Sequence, residues 1–78
     1  MNTLKENLDK IHTTKLGISR IKRNLNLERI DVVDYLKDKI MSSNNIYQKG
    51  KNWYCEIENI IITINKYSYT IITAHRKD

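Results

Sequence analysis

The sequence predicts an α+β fold in which two to three N-terminal helices pack on a four-stranded antiparallel β-meander. Apolar residues recur at the helical period over residues 3–41, and they alternate or form β-branched runs over residues 46–76. The chain has no proline, and gaps of two or three residues separate the predicted strands, which requires antiparallel neighbours. With 78 residues there is room for one domain, residues 1–78, and one core.

The first helix is predicted from Thr3 to about Ile11. Thr3 and Glu6 fit a capping box, in which each side chain accepts a hydrogen bond from the other residue's backbone N–H. Leu4, Leu8 and Ile11 follow at a spacing that places them on one helical face. This face is expected to pack on the sheet.

A second helix follows the interruption at residues 12–14, where a threonine can serve as its N-cap. Ile18, Ile21 and Leu25 share its apolar face, and Gly17 weakens it locally by up to about 1 kcal/mol relative to alanine. The alternative is that the first two segments form one kinked helix.

The third helix begins after Asp31, a favourable N-cap, and Asp34 adds negative charge to its first turn. Polar residues 42–45 end it. Its apolar stripe consists of Val32, Val33, Leu36 and Ile40.

Four strands account for the second half of the chain. They are predicted over residues 46–49, 53–57, 60–65 and 69–75. In the last strand, alternation would place Tyr69, Ile71, Thr73 and His75 on one face and Thr70, Ile72, Ala74 and Arg76 on the other. Both faces contain isoleucine, so the core face stays open. One interpretation is that a partner or a second copy of the chain covers the second face. The alternative is that these isoleucines are present because β-branched residues favour strands.

Positive charge is concentrated in the first part of the chain. The formal net charge is +5 and the pI is near 9.4. Residues 1–29 contain seven Lys or Arg against three Asp or Glu, whereas residues 30–78 contain seven against six. This asymmetry predicts a polyanionic partner, most often nucleic acid, or an acidic protein surface. The alternative is a solvated helix face.

The apolar runs are short, and there is one cysteine. The longest run is Ile60–Ile62, and the first residues have no long apolar stretch, so neither a membrane span nor a signal peptide is expected. A cytoplasmic location is the resulting expectation. Cys55 has no second cysteine to pair with, and we interpret it as a small apolar strand residue.

The catalytic candidates are His12, Arg20, Arg23 and His75. Metal-independent RNA cleavage needs a base for the 2′-hydroxyl, an acid for the leaving oxygen and a cation for the phosphorane charge. Two histidines, or one histidine with a tyrosine, could supply these roles together with the arginines. No glycine-rich phosphate loop is present. Asp31, Asp34 and Asp38 share one helix face, where a metal is conceivable, but we favour a capped, solvated helix, so neither a cofactor nor a metal is expected.

A nucleic-acid-binding set is predicted at Lys15, Lys22, Lys49, Lys51 and Arg76. Aromatic residues lie among the basic residues of the strand half, and such rings stack on bases while lysines follow the phosphates. These aromatics are Tyr47, Trp53, Tyr54, Tyr67 and Tyr69. For Trp53 we favour a core position, because it alternates with Cys55 and Ile57.

Two sequence blocks resemble a small bacterial family of unknown function. They are the block KGKNWY at residues 49–54 and the block SYTIITAH at residues 68–75, with ITIN at residues 62–65 between them. The segments at residues 12–14, 16–17 and 20–25 also recur in that family. The resemblance covers most of the chain and implies no activity.

A more distant pattern is similar to the barnase/colicin/RelE-type ribonuclease superfold. The similarity rests on the order of features along the chain. His12 comes first, Arg20 and Arg23 follow, and then come the segment at residues 31–33 and four strands ending at residues 69–73. Toxins of that group have helices followed by a four-stranded antiparallel sheet. The resemblance points to the four catalytic candidates.

Two functions follow as competing hypotheses. In the first, the chain is a small basic protein that acts on nucleic acid, with RNA or a nucleoprotein as its partner. If it is catalytic, it is a metal-independent endoribonuclease of toxin type. The second is a non-enzymatic module that binds a protein, such as a phage or mobile-element inhibitor of a host nucleoprotein. Either could form a homodimer through the sheet.

Overall fold

The fold is α+β, with three α-helices and a short 3-10 helix preceding a four-stranded antiparallel sheet. A computed structural model describes residues 3–77, without the side chain of Thr3. The helices are α1 (Thr3–Glu6), the 3-10 helix (Leu8–Lys10), α2 (Lys15–Leu25) and α3 (Val32–Ser42). The strands are β1 (Asn45–Lys49), β2 (Asn52–Ile57), β3 (Ile60–Asn65) and β4 (Ile71–Arg76).

The first helical segment is shorter than the sequence predicts. The chain leaves the α-helical conformation at Asn7, and Ile11 is extended. The prediction of one helix through Ile11 is therefore wrong. The alternative of a single kinked helix is wrong as well, because Ile11 and Thr14 are extended and the backbone of His12 between them pairs with Thr70. Leu4 and Ile11 are nevertheless buried. The predicted capping box requires the side chain of Thr3, which lies outside the described part of the chain.

The caps of the two longer helices are confirmed. The Thr14 hydroxyl accepts a hydrogen bond from the Gly17 N–H at 3.0 Å, and the Asp31 carboxylate accepts one from the Asp34 N–H at 3.1 Å. Asn26 ends α2 in the left-handed conformation. Because α2 packs on β4 and α3 contacts β2, both helices cover the same face of the sheet.

The sheet is a meander with the strand order β1-β2-β3-β4. Its first two turns are two-residue connections: Gly50 has a φ of 62°, and Glu58 and Asn59 have φ values of 50° and 67°. On the helix-covered face, β3 contributes Ile60, Ile62 and Ile64. Ile62 lies between Cys55 of β2 and Ala74 of β4.

The last strand departs from strict alternation. Ile64 pairs with Ile71 and Thr63 pairs with Thr73, so Ile72 is an extra residue in β4, a β-bulge. Ile71 and Ala74 are consequently both buried, although alternation would place them on opposite faces. The predicted grouping of Ile71 with Thr73 is therefore wrong.

Candidate functional site

The first and third turns of the sheet lie side by side at one end of the molecule. Lys49 pairs with Asn52, Asn52 pairs with Asn65, and the Lys66 N–H donates to the Lys51 carbonyl at 2.9 Å. We call residues 49–51 and 66–68, together with the adjoining His12 and Thr70, the turn-end surface. Residues 49–53 and 65–71 contain no Asp or Glu.

Asn65 holds the third turn in shape. Its side-chain oxygen accepts hydrogen bonds from the backbone N–H of Tyr67 at 2.9 Å and of Ser68 at 3.0 Å, and it lies 3.2 Å from the Ser68 hydroxyl. This turn projects Tyr67, which is 71% exposed, and places the Lys66 ammonium 5.1 Å from the centre of the Tyr67 ring. The result is an exposed aromatic ring next to positive charge.

His12 joins the turn-end surface through its backbone and its ring. Its N–H donates to the Tyr69 carbonyl at 3.2 Å, and its carbonyl accepts from the Ile71 N–H at 2.7 Å. The ring nitrogen Nδ1 lies 2.9 Å from the Lys10 carbonyl, and Nε2 lies 3.1 Å from the Thr70 hydroxyl. Because a carbonyl oxygen can only accept, the hydrogen bonding assigns a proton to Nδ1.

A row of polar groups continues from this ring. The Thr70 and Ser68 hydroxyl oxygens are 2.8 Å apart. In the neutral ring, Nε2 accepts the Thr70 proton, and the Thr70 oxygen can then accept from Ser68. His12, Thr70 and Ser68 therefore hydrogen-bond to one another, which fixes their side chains at the turn-end surface.

The structure does not bring the four catalytic candidates together. His75 is exposed opposite Ile61 on the face that the helices leave uncovered. It follows Thr70, the neighbour of His12, by five residues, which corresponds to about 16 Å along a strand. Arg20 and Arg23 are exposed on α2, on the other side of the sheet.

The five predicted binding residues lie in three places. Lys49 and Lys51 are part of the turn-end surface, whereas Lys15 and Lys22 belong to α2. Arg76 donates a hydrogen bond to the Leu25 carbonyl at 3.3 Å. Arg76 therefore satisfies a carbonyl at the C-terminal end of α2, where helices have unpaired acceptors.

The ion pairs of the described residues lie at the end of the sheet opposite the turn-end surface. Lys39 pairs with Glu58, and Lys77 pairs with Glu56 at 2.8 Å. The hydrogen bond from Lys77, with a second from the Tyr47 hydroxyl, lowers the pKa of Glu56 below its ordinary value. Acidic groups therefore do not neutralise the lysines of the turn-end surface.

Sequence reasoning left Asn65 and Thr70 out of the candidate site. An asparagine before a polar turn is a recognised turn signal, so Asn65 could have been found. Thr70 carries no such signal, because its contact with His12 joins residues 58 positions apart. Trp53 is half-buried and packs against the core, with the centre of its ring 5.3 Å from that of Tyr69.

Residues 3–77 contain no pocket and no cluster of His, Cys, Asp or Glu suited to a metal ion. Among the helices that the structure describes, none is long and apolar enough to cross a membrane. Cys55 is fully buried, and this burial raises the pKa of its thiol despite a hydrogen bond with Ser43 that lowers it.

The fold and this surface define a small basic α+β protein with an antiparallel meander and a lysine-rich pair of turns at one end of the sheet. Residues 5–75 match the model of a family described as "Protein of unknown function (DUF3781)", and the chain belongs to that family. The predicted membership of a family of unknown function is thereby confirmed. No curated protein and no solved structure matches the chain, and the resemblance to the ribonuclease superfold is not supported.

Proposed function

We propose that this protein binds single-stranded nucleic acid through the turn-end surface, without cleaving it. One observation supports the proposal: three lysines that form no ion pair within residues 3–77 lie in the two adjacent turns, and one of them lies over the exposed ring of Tyr67. These lysines are Lys49, Lys51 and Lys66.

The groups at this surface suit the parts of a single strand. Lysine ammonium groups attract phosphates, and an exposed aromatic ring stacks on an unpaired base regardless of its identity. Lys66 lies over the Tyr67 ring, which is 71% exposed and retains area for stacking. The exposed Ser68 hydroxyl oxygen, at the outer end of the hydrogen-bonded row, can accept a hydrogen bond from a sugar hydroxyl.

Helix α2 offers the main competing surface. Its exposed side includes Lys15, Arg20 and Arg23, and no acidic residue occurs in the helix. The helix has no aromatic residue, so it provides charge without a stacking partner. It therefore supplies a matched control for the turn-end surface.

The separation of the catalytic candidates is the reason that we propose binding alone. Cleavage by the predicted set requires His12 or His75 in one cleft with Arg20 or Arg23. His75 faces away from the helices, whereas both arginines lie on α2. A nuclease that uses His75 with either arginine would need a different arrangement of the chain.

The test compares two triple variants that remove the same charge. The turn-end variant is Lys49→Gln, Lys51→Gln and Lys66→Gln, and the control is Lys15→Gln, Arg20→Gln and Arg23→Gln. Fluorescence anisotropy would measure binding to a labelled single strand of about 12 nucleotides, within the usual site sizes, and to the corresponding duplex. We expect the turn-end variant to lose most of its affinity and the control to lose less.

The aromatic contribution is tested separately. Tyr67→Ala should weaken binding by about 1–3 kcal/mol, whereas Tyr67→Phe should retain it, because stacking needs the ring and not the hydroxyl. Absence of binding, or equal losses in both triple variants, would overturn the proposal. RNA cleavage in EDTA that disappears in His12→Ala would instead favour the endoribonuclease hypothesis.

A further inference from the structure

The two outer edges of the sheet differ in how they are covered. On β4, the Ile71 N–H donates to the His12 carbonyl, the Thr13 hydroxyl donates to the Ile71 carbonyl at 2.9 Å, and the Asn24 amide donates to the Ala74 carbonyl at 3.2 Å. These contacts and the bulge prevent another strand from pairing there. Within residues 3–77, no comparable contact covers the outer edge of β1.

The turn geometry shows which backbone groups of β1 point outward. The two-residue turn after Lys49 makes Lys49 and Asn52 a hydrogen-bonded pair, and such pairs alternate along antiparallel strands. Tyr47 therefore bonds inward to Tyr54 of β2. The N–H and C=O groups of Ile46 and Gln48 point away from the sheet, available to another strand.

We propose that β1 pairs with β1 of a second copy of this chain, antiparallel and centred on Tyr47. In this register, Ile46 of each copy lies opposite Gln48 of the other, which gives four backbone hydrogen bonds. The two Tyr47 residues then face each other at a position without hydrogen bonds, where side chains of neighbouring strands approach most closely. The result is a continuous eight-stranded sheet.

The side chains of β1 fit this self-pairing. Tyr47 is 41% exposed and already stacks on Tyr54, with ring centres 5.6 Å apart, so a second Tyr47 extends an existing aromatic row. The one charged residue of β1, Lys49, would face Asn45 of the second copy and not another lysine. β1 also lacks proline, which natural edge strands use to prevent pairing.

Two matched pairs of variants test the dimer in nuclease-treated protein. Gln48→Pro removes an outward N–H, whereas Gln48→Ala keeps it. Tyr47→Lys places two positive charges at the symmetry axis, whereas Tyr47→Phe keeps the rings. Sedimentation equilibrium over a wide range of concentration would measure the dimer, and circular dichroism would verify folding.

We expect the wild type, Gln48→Ala and Tyr47→Phe to dimerise. Gln48→Pro should weaken the dimer by at least about 30-fold, because one backbone hydrogen bond is lost from each copy. Tyr47→Lys should weaken it as well, and added salt should partly restore this variant. A wild type that stays monomeric at every concentration, or a dimer that both disruptive variants leave intact, would overturn the proposal.

Discussion

At the scale of single residues, Gly17 is enclosed where α2 meets β4. A methyl group at this position would overlap the Thr13 hydroxyl, which donates its hydrogen bond to the Ile71 carbonyl. An alanine inside a helix ordinarily adds about 1 kcal/mol of stability over glycine. The close approach to Thr13 reverses this expectation, because the methyl group would displace the hydroxyl from its acceptor.

We therefore predict that Gly17→Ala lowers the free energy of unfolding by about 1–2 kcal/mol. In a Thr13→Ala background the obstructing hydroxyl is absent, and Gly17→Ala should become neutral or stabilising. Urea unfolding of the four proteins in this double-mutant cycle measures the effect. Equal changes in both backgrounds would show that Thr13 does not restrict the site.

Cys55 illustrates how burial determines reactivity. The residue is fully buried in β2, and loss of solvation raises the pKa of its thiol. The reactive thiolate is therefore disfavoured in the folded state. At pH 8 we predict that a thiol reagent labels the native protein only through unfolding and labels the urea-unfolded protein at the rate of a free thiol. Fast labelling of the native protein would contradict a buried position.

At the scale of elements, the third turn depends on a single side chain. The Asn65 oxygen accepts two backbone hydrogen bonds that fix residues 66–68. We predict that Asn65→Ala costs about 2 kcal/mol of stability, whereas Asn65→Asp, which keeps an acceptor oxygen, costs less. Thermal or urea unfolding measures both variants. Similar losses in the two would show that the hydrogen-bond acceptor is not the source of the stability.

The strands and longer helices were predictable because their signals are local. Thr14 and Asp31 mark where α2 and α3 begin, and glycine or polar pairs mark the hairpins. The bulge at Ile72 was not predictable from periodicity, because it breaks the alternation within one apolar run, next to carbonyls that hydrogen-bond to Thr13 and Asn24. The shortness of α1 likewise reflects packing and not propensity.

At the scale of the whole molecule, the distribution of charge was less predictable than its sum. Sequence reasoning identified Lys49 and Lys51, and the structure places Lys66 beside them. It also grouped His12 with His75, which lie toward different ends of β4. Residues far apart in sequence share a surface only through strand register, which composition does not encode.

The salt dependence of binding separates a local site from general attraction by the net charge of +5. Each phosphate contact on a single strand contributes about −0.7 to the slope of log affinity against log salt, so three lysine contacts give a slope of about −2. Replacing one turn-end lysine by glutamine should reduce the steepness by about 0.7, whereas replacing Arg23 on α2 should leave it nearly unchanged. Anisotropy titrations at several salt concentrations measure these slopes. If every replacement changed the slope equally, binding would depend on the net charge alone, and the turn-end surface would not be a specific binding site.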